Sequence, residues 1–352
     1  MGLDCFEAYE LLQSPMTQSS CKNFLNREIG WLKFNDRILA LVEDDRIPLL
    51  ERINFLNIFH SNLDEFYMKR IGGLKRQHLA GLTTLSIDGL TPEEQIHKTR
   101  KIVLERNHDV AQVIKEGLLP ELSKNRIYFS SWDELSSPEK EFASDFFHSR
   151  VFPVLTPMAV DLGHPFPHIS NLSLSLAVSL RHPGEKESDP LFARIKVPNV
   201  FPAWIKVSQS EKETREYRFV SLVDVIIHHL PELFPQMEIL DIMSFRVTRN
   251  IDTESGDDEG AEDLLELISE ELKQRRFAEV VRLEHGPKPN TWLLDRLIEE
   301  LELEETEVYE TPFKLEFKNM DCVAQVNIPG LKYPQWKPVV PTLFQDEEAS
   351  VF

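Results

Sequence analysis

One short segment, HSNLDEF at residues 60–66, places an asparagine where its amide could serve a ligand. Ser61 is predicted to cap a helix, and Asp64, three residues later, would complete an acidic capping box. Asn62 has no such structural role, because asparagine is a poor helix former and its amide both donates and accepts hydrogen bonds. An asparagine without a ligand is the default interpretation, and ligand binding is the alternative. If a ligand binds, the base or sugar of a nucleotide is the expected contact, since the flanking carboxylates would repel a phosphate.

A run of basic residues follows this segment in a chain that is otherwise acidic. The chain has 39 Lys and Arg against 59 Asp and Glu, a formal net charge of −20. A solvated helix face is the default interpretation of such a cluster, and a surface that faces a polyanion is the alternative, which the acidic surroundings favour. The cluster consists of Lys69, Arg70, Lys75 and Arg76, with His78 and the later Arg100, Lys101 and Arg106.

The patterns of common catalytic sites do not occur in the sequence. There is no phosphate loop of the G-x-x-x-x-G-K-[ST] type, no G-x-G-x-x-G after a strand and no recognisable serine or cysteine nucleophile. His228 and His229 suggest a phosphohistidine, but they close a short predicted helix, where imidazoles suit the C-terminal dipole, and no neighbour completes a site. Prolines interrupt the spacing of His164 and His168. We therefore predict no catalytic residue and no metal ligand in this chain.

The composition is that of an acidic globular protein. The 352 residues are 41% hydrophobic and exceed the usual length of one domain. No stretch approaches the ~18 apolar residues of a membrane span. The negative charge argues against general binding of nucleic acids or anionic membranes. Three scattered cysteines fit neither a disulfide framework nor a zinc site, so a reducing, cytoplasmic compartment is expected.

The first part of the chain has the periodicity of helices, with apolar residues at three- and four-residue steps from 24 to about 114. Pro48 is predicted to open a second helix, and a third is predicted to begin near Ser61. The Gly72-Gly73 pair in that third helix indicates close packing rather than a phosphate cradle. The sequence TPEE at 91–94 marks the start of the fourth, with threonine as N-cap, proline in first position and glutamate three residues after the cap.

From about residue 130, strands alternate with helices. Prolines between 151 and 171 exclude a long helix and predict extended, turn-rich chain. The alternation in LSLSLAVSL at 172–180 predicts a strand. An acidic segment at 252–266 is predicted to begin as a solvated loop. The other predicted strands are 192–197, 218–222 and 279–283, and the predicted helices are 137–150, 224–230, 264–272 and 291–301.

These elements predict an α+β protein in which a helical N-terminal bundle is followed by an α+β domain. The predicted segments are a flexible leader at 1–20, the helical domain at 21–128, the α+β domain at 129–328 and a linker at 329–352.

Several long stretches resemble the bacterial polyphosphate kinase 1 family. The start of that family is similar to FLNREIGWLKFN at 24–35 and to the later PLLERINFLNIFHSNLDEFYMKRIGGLKRQ. Its head domain is similar to FPVLTPMAVDLGHPFPHISNLSLSLAV, FVSLVDVIIHHLPELFP, FRVTRN and AEDLLELISEELKQRRFAEVVRLE. LKYPQWKP resembles the linker that follows. The resemblance covers nearly all of 24–340, in order.

The resemblance implies reversible transfer of the terminal phosphate of ATP to polyphosphate, through a phosphohistidine and with magnesium. It implies a helical N-terminal domain, a head domain that mediates dimerisation, and two C-terminal domains of phospholipase-D-like fold. Asn62 falls on the family's ATP-binding asparagine, and we expect Lys69, Arg70 and Lys75 to face polyphosphate. The phosphorylated histidine and the groups linked to magnesium belong to the C-terminal half, which we expect this chain to lack. The resemblance leaves peripheral membrane association open.

Two hypotheses follow. In the first, the chain is the N-terminal and head portion of a polyphosphate kinase, binds ATP and polyphosphate, pairs as a homodimer and is inactive alone. In the second, it is a stand-alone binding or dimerisation module derived from that family. The reading frame beyond Phe352 distinguishes the two.

Overall fold

The computed structural model describes residues 23–160, 165–184, 189–208, 216–251 and 278–336. The predicted leader, the acidic segment at 252–266, the helix predicted at 264–272 and most of the predicted linker lie outside these ranges, as does His164.

The first part of the chain is helical, as its periodicity predicts. Its α-helices are α1 (Arg27–Glu43), α2 (Leu49–Phe66), α3 (Gly72–Leu79), α4 (Pro92–Gln112) and α5 (Leu119–Lys124). A π-helical turn, Tyr67–Ile71, joins α2 to α3 without a break, and a second, Val113–Leu118, joins α4 to α5. The N-terminus of α4 has the predicted capping box between Thr91 and Glu94.

The helix start predicted at Ser61 is wrong. Ser61 lies inside α2, which begins at Leu49 after Pro48 and continues through Ser61 to the π-helical turn. A helix start needs an extended residue at the cap, and no glycine or proline interrupts the chain here. The stripe of buried apolar residues on α2 also continues on both sides of Ser61, with Leu56 and Leu63 both in the core. Asp64 therefore caps no helix.

The second part combines short helices with nine strands in the described ranges. The helices are α6 (Ser137–Phe146), α7 (Leu222–His228), α8 (Leu230–Leu233), α9 (Thr291–Glu300) and α10 (Asp321–Ala324). The strands are β1 (Ile127–Ser130), β2 (Met158–Val160), β3 (Leu174–Arg181), β4 (Leu191–Lys196), β5 (Trp204–Lys206), β6 (Tyr217–Ser221), β7 (Glu238–Arg249), β8 (Val280–His285) and β9 (Val308–Glu310). A third π-helical turn, Phe147–Val151, follows α6, and a 3₁₀ turn, Leu315–Lys318, precedes α10.

The strands form two sheets. The larger has the order β2-β4-β3-β7-β8-β9 and is antiparallel except for the β8–β9 pair. The smaller has the order β1-β6-β5, with β1 parallel to β6. The alternation that predicted β3 separates Leu176 and Val178, in one apolar cluster, from Ala177, in another. Both faces of β3 are therefore covered, and the strand is buried on both sides.

The helical part and the sheet part pack against each other and contribute side chains to a common apolar core. One apolar cluster joins α1 and α2 to Trp204 of β5 and to Phe313, Phe317 and Val323 near the C-terminal end of the described chain. The observed architecture confirms the predicted α+β fold class. Among the described helices, none has the length and apolar character needed to cross a bilayer.

Candidate functional site

Asn62 lies on the side of α2 that faces α1. Its Nδ2 donates a hydrogen bond to Asn35 Oδ1 over 3.1 Å, and Asn35 Nδ2 donates to the carbonyl oxygen of Phe59 over 3.1 Å. Asn35 is buried, whereas Asn62 is half-buried. Within the described ranges Asn62 Oδ1 accepts no hydrogen bond, so this amide keeps an acceptor oxygen and a second N–H for a ligand.

The contacts between α1 and α2 continue from Asn62 towards the π-helical turn. Trp31 stacks on Phe66 with ring centroids 4.8 Å apart, and Arg70 Nη1 donates to Glu28 Oε2 over 3.2 Å. We call this line of contacts the α1–α2 seam. Eight residues separate Asn62 from Arg70, which corresponds to roughly 12 Å along the helix axis.

A basic groove opens at the Arg70 end of the seam. Its volume is about 360 Å³, and its charged lining comprises Arg27, Lys69, Arg70 and Arg76 against the single carboxylate of Glu28. The groove has room at Gly73, where an added Cβ would meet no atom within 4 Å. Lys69 forms an exposed pair with Glu65 on the same helix, at 2.5 Å. Such exposed pairs contribute little, so Lys69 can turn towards a polyanion at small cost.

Lys75 does not line this groove. Its Nζ lies 2.5 Å from Glu307 Oε1 and 2.8 Å from Glu279 Oε1, and it donates to the carbonyl oxygen of Val280 over 3.0 Å. The Lys75 side chain is only 13% exposed. Burial lowers the pKa of Lys75, but the two glutamates outweigh burial and raise it. Lys75 thus ties α3 to the segment around β8.

Two other members of the predicted basic cluster are also engaged elsewhere. Arg100 donates to the carbonyl oxygens of Glu305 and Val308. Arg106 pairs with Asp36 at 2.7 Å and with Asp109 at 2.8 Å. The basic surface is therefore smaller than the sequence predicts.

Asp64 lies in a buried group of ionised side chains that we call the buried charge cluster. The cluster comprises Asp64 on α2, Arg246 on β7, Arg282 and Glu284 on β8, and Lys318 at the end of the 3₁₀ turn. Arg246 donates from Nη1 to Asp64 Oδ1 over 2.8 Å and to Glu284 Oε2 over 3.0 Å. Arg282 Nη2 donates to the same oxygen of Asp64 over 2.6 Å, and Lys318 pairs with Glu284.

The electrostatics of the cluster keep both carboxyl groups ionised. Burial acts to raise the pKa of Asp64, but Arg246 and Arg282 outweigh burial and hold it far below its usual value. Burial likewise opposes ionisation of Glu284, yet Arg282, Lys318 and Arg246 lower its pKa to about 2. Burial lowers the pKa of Lys318, although the nearby Glu284 opposes this shift.

His60 lies beside the cluster without adding charge to it. Both ring nitrogens are buried and have no hydrogen-bond partner in the described ranges. Burial and the nearby Lys318 hold the pKa of His60 well below its usual value, so the ring is neutral at neutral pH.

Sequence reasoning missed the buried charge cluster, although a signal existed. Arg246 lies opposite Glu284 in the β7–β8 register, and Thr248 lies opposite Arg282. Arginine and glutamate in otherwise apolar strands are rarely buried unless they are paired. The strand register that reveals the pairing could not be read from the sequence alone.

The close packing predicted for the Gly72-Gly73 pair holds for Gly72 only, and there the neighbour is a loop residue rather than a helix, whereas an added Cβ at Gly73 would meet no atom within 4 Å. A Cβ at Gly72 would lie 2.5 Å from Cγ of Asn250, just after β7. The close approach brings the π-helical turn against the end of β7, where the backbone N–H of Ile251 also donates to the Met68 carbonyl oxygen. A Cβ at position 72 would therefore force the side chain of Asn250 to move.

Two family models match the chain in consecutive order. Residues 24–130 match the polyphosphate kinase N-terminal domain, and residues 138–322 match the polyphosphate kinase middle domain. The seam and the groove lie within the first match, and the buried charge cluster joins the first match to the second.

Curated relatives and a solved structure agree with these models. The polyphosphate kinase of Mycobacterium ulcerans is 42% identical over 329 residues, which are 92% of this chain and 44% of that protein. The polyphosphate kinase of Thermosynechococcus vestitus is 40% identical over 96% of this chain and 46% of its own length. The crystal structure of polyphosphate kinase from Porphyromonas gingivalis matches with a TM-score of 0.70 and 22% identity, over 90% of this chain and 43% of that chain.

The chain thus spans a little under half the length of the relatives that it matches. One family model covers the helical part and the other covers the sheet part, and the first relative aligns over 92% of the chain. The chain belongs to the polyphosphate kinase family.

Proposed function

We propose that this chain is the N-terminal and head portion of a polyphosphate kinase. The whole enzyme would move the terminal phosphate of ATP reversibly to polyphosphate, through a phosphohistidine and with magnesium. The observation that carries this proposal is the consecutive match of 24–130 and 138–322 to the two polyphosphate kinase domain models.

In this proposal Asn62 contacts the nucleotide. The free acceptor oxygen and the remaining N–H of its amide match the paired donor and acceptor edge of an adenine base. Asn35 fixes the Asn62 side chain from the buried side. The sequence-based objection to a nearby phosphate also weakens, because Asp64 is neutralised by two arginines and Glu65 by Lys69.

Polyphosphate would lie along the basic groove. Arg70 and Lys69 are at the far end of the same helical face from Asn62, so one extended polyanion could approach a nucleotide bound at the seam. We leave Lys75 out of this surface, because two glutamates already neutralise it.

The phosphoryl-transfer centre itself is proposed to lie outside this chain. Such a centre needs a nucleophile surrounded by cations that neutralise the charge on the transferred oxygens. Magnesium prefers oxygen ligands. The described group of three metal-ligating side chains combines two imidazoles with one carboxylate, which does not suit magnesium. We therefore expect the isolated chain to form no polyphosphate from ATP.

The head portion is proposed to form a homodimer through an edge of the larger sheet. Strand β2 is an edge strand, and Met158 on it is exposed. Phe152 and Val154, just before β2, are exposed as well. Edge strands flanked by exposed apolar side chains are ready to pair. A Val154→Glu change should shift the sedimentation profile towards monomer, and a wild-type profile that is monomeric at tens of micromolar would refute the interface.

The nucleotide contact is tested in the full-length enzyme by Asn62→Ala. One or two lost hydrogen bonds cost about 1–3 kcal/mol, so the KM for ATP should rise several-fold or more, with the KM for polyphosphate unchanged. Asn54→Ala is the matched control, because Asn54 lies on the same helix and, among the described residues, its side-chain amide bonds only Glu51. An unchanged KM for ATP in Asn62→Ala would remove the proposed contact.

A further inference from the structure

His148, His229 and Glu232 converge on one point in the head portion. His148 Nε2 lies 2.8 Å from Glu232 Oε2, and His229 Nδ1 lies 2.7 Å from Glu232 Oε1. The three ligand atoms all lie within 4.8 Å of one another. His148 belongs to the π-helical turn after α6, whereas His229 and Glu232 lie at the α7–α8 corner, 81 and 84 residues further along the chain.

The surrounding aromatic rings fix the direction of His229. Its ring stacks on Phe147 with centroids 4.3 Å apart and an interplanar angle of 9°. Trp132 packs edge-on against it at 5.6 Å. His229 is 5% exposed, and its Nε2 is buried without a partner in the described ranges. Only Nδ1 faces the polar group, so the imidazole is held ready for a ligand on that atom.

His148 and Glu232 are the two side chains of this group that have room to move. Their side chains are 50% and 46% exposed, so both can shift and the site stays open to solvent. Zinc–nitrogen and zinc–oxygen bonds of about 2.0–2.2 Å place tetrahedral ligand atoms about 3.3 Å apart. Each imidazole nitrogen would therefore separate from the carboxylate by roughly half an ångström. Because the three ligand atoms now span up to 4.8 Å, the half-exposed side chains of His148 and Glu232 would both have to shift towards Nδ1 of His229.

We propose that His148, His229 and Glu232 bind a divalent transition-metal ion with the ligand preferences of zinc. Two imidazole nitrogens and one carboxylate oxygen are a common ligand set for zinc, with water in the fourth position. Cobalt and nickel accept the same donors, whereas magnesium and calcium prefer oxygen alone. The ion would cross-link the π-helical turn to the α7–α8 corner and stabilise the head portion.

This inference goes beyond the proposed function and does not depend on it. It also changes the interpretation of the His228-His229 pair, for which the sequence suggests no metal. His229 completes its site with His148 and Glu232, whereas His228 is exposed and stacks on Trp132 with centroids 4.0 Å apart.

The test is a calorimetric titration of the tag-free chain with zinc chloride. We expect one zinc ion per chain, bound at least about tenfold more weakly by His148→Ala and by Glu232→Ala. His228→Ala is the matched control, an adjacent histidine outside the set, and should bind as the wild type does. The two ligand side chains are half exposed, so circular dichroism should show that both variants remain folded.

Cobalt provides a second readout, because its visible absorption distinguishes tetrahedral coordination from the octahedral hexaaqua ion. The wild-type chain and His228→Ala should develop the intense tetrahedral bands, and His148→Ala and Glu232→Ala should not. The proposal is overturned if the wild type binds no zinc, or if the ligand variants and His228→Ala bind it equally well.

Discussion

Asp64 and Glu65 are neighbours on α2, yet their carboxylates have opposite surroundings. Asp64 points into the buried charge cluster and meets two arginines. Glu65 points outwards and forms an exposed pair with Lys69. Adjacent residues on a helix differ by about 100° in direction, so one reaches the sheet and the other reaches solvent. The same helix therefore carries both a buried contact with the sheet part and the exposed surface that we propose for ligands.

This difference in surroundings indicates which charged side chains are available to bind a ligand. Every member of the buried charge cluster has an oppositely charged partner, and removing one partner leaves an uncompensated charge in the core. The Lys69–Glu65 pair beside the basic groove is exposed and weak, so Lys69 can change partner. We therefore propose that the buried charge cluster positions α2 and that the seam and the groove bind ligands.

The largest expected effect comes from disrupting the buried charge cluster. Asp64→Ala should lower the free energy of unfolding by about 3–5 kcal/mol, because Arg246 and Arg282 lose a shared partner inside the protein. Glu65→Ala is the matched control and should change it by about 1 kcal/mol or less. Urea denaturation of the chain measures both. Equal losses in the two variants would show that burial does not separate these residues.

The basic groove is tested by measuring how tightly the chain binds polyphosphate. The double change of Lys69→Ala with Arg70→Ala should weaken binding of medium-length inorganic polyphosphate several-fold, and added salt should reduce the difference because exposed charges are screened. Lys115→Ala, an exposed lysine outside the groove, should have no effect. Isothermal titration at low and moderate salt measures these affinities. A similar loss in Lys115→Ala would indicate attraction without a defined groove.

The last test is a pH dependence that arises in the buried charge cluster. The folded pKa of Glu284 is lowered from 4.5 to about 2, so Glu284 stabilises the fold fully above pH 4.5 and loses that contribution as the pH falls towards 2. The gap in unfolding free energy between wild type and Glu284→Gln should therefore be constant above pH 5 and shrink below pH 4.5. Urea midpoints across this range measure it, and a gap that stays constant down to pH 3 would contradict the lowered pKa.

Local signals predicted much of the fold. The capping box of α4 and the alternation in β3 were sufficient because each depends on residues a few positions apart. The helix start predicted at Ser61 is wrong because distant contacts, rather than local ones, determine the role of Asp64. A serine and an acid at capping-box spacing also occur inside a helix when tertiary contacts use them, and the partners of Asp64 are 182 and 218 residues away.

The prediction of the candidate site from the sequence was limited in the same way. Asn62 could be singled out because asparagine is a poor helix former, whereas its contact with Asn35, 27 residues away, was not predicted. Lys75 could not be separated from Lys69 and Arg70, since the glutamates that hold it come from the distant β8–β9 region. Charge in a sequence predicts a surface, but only the register of remote strands reveals which charges are already paired.

Photolabelling tests the central claim, that the α1–α2 seam contacts the nucleotide, most directly. The full-length enzyme would be irradiated with 8-azido-ATP, digested with trypsin and analysed by mass spectrometry. We predict ATP-protected label in peptide 53–69, which contains Asn62, and loss of that label in Asn62→Ala but not in Asn54→Ala. Label that is absent from this peptide while present elsewhere in the enzyme would contradict the account.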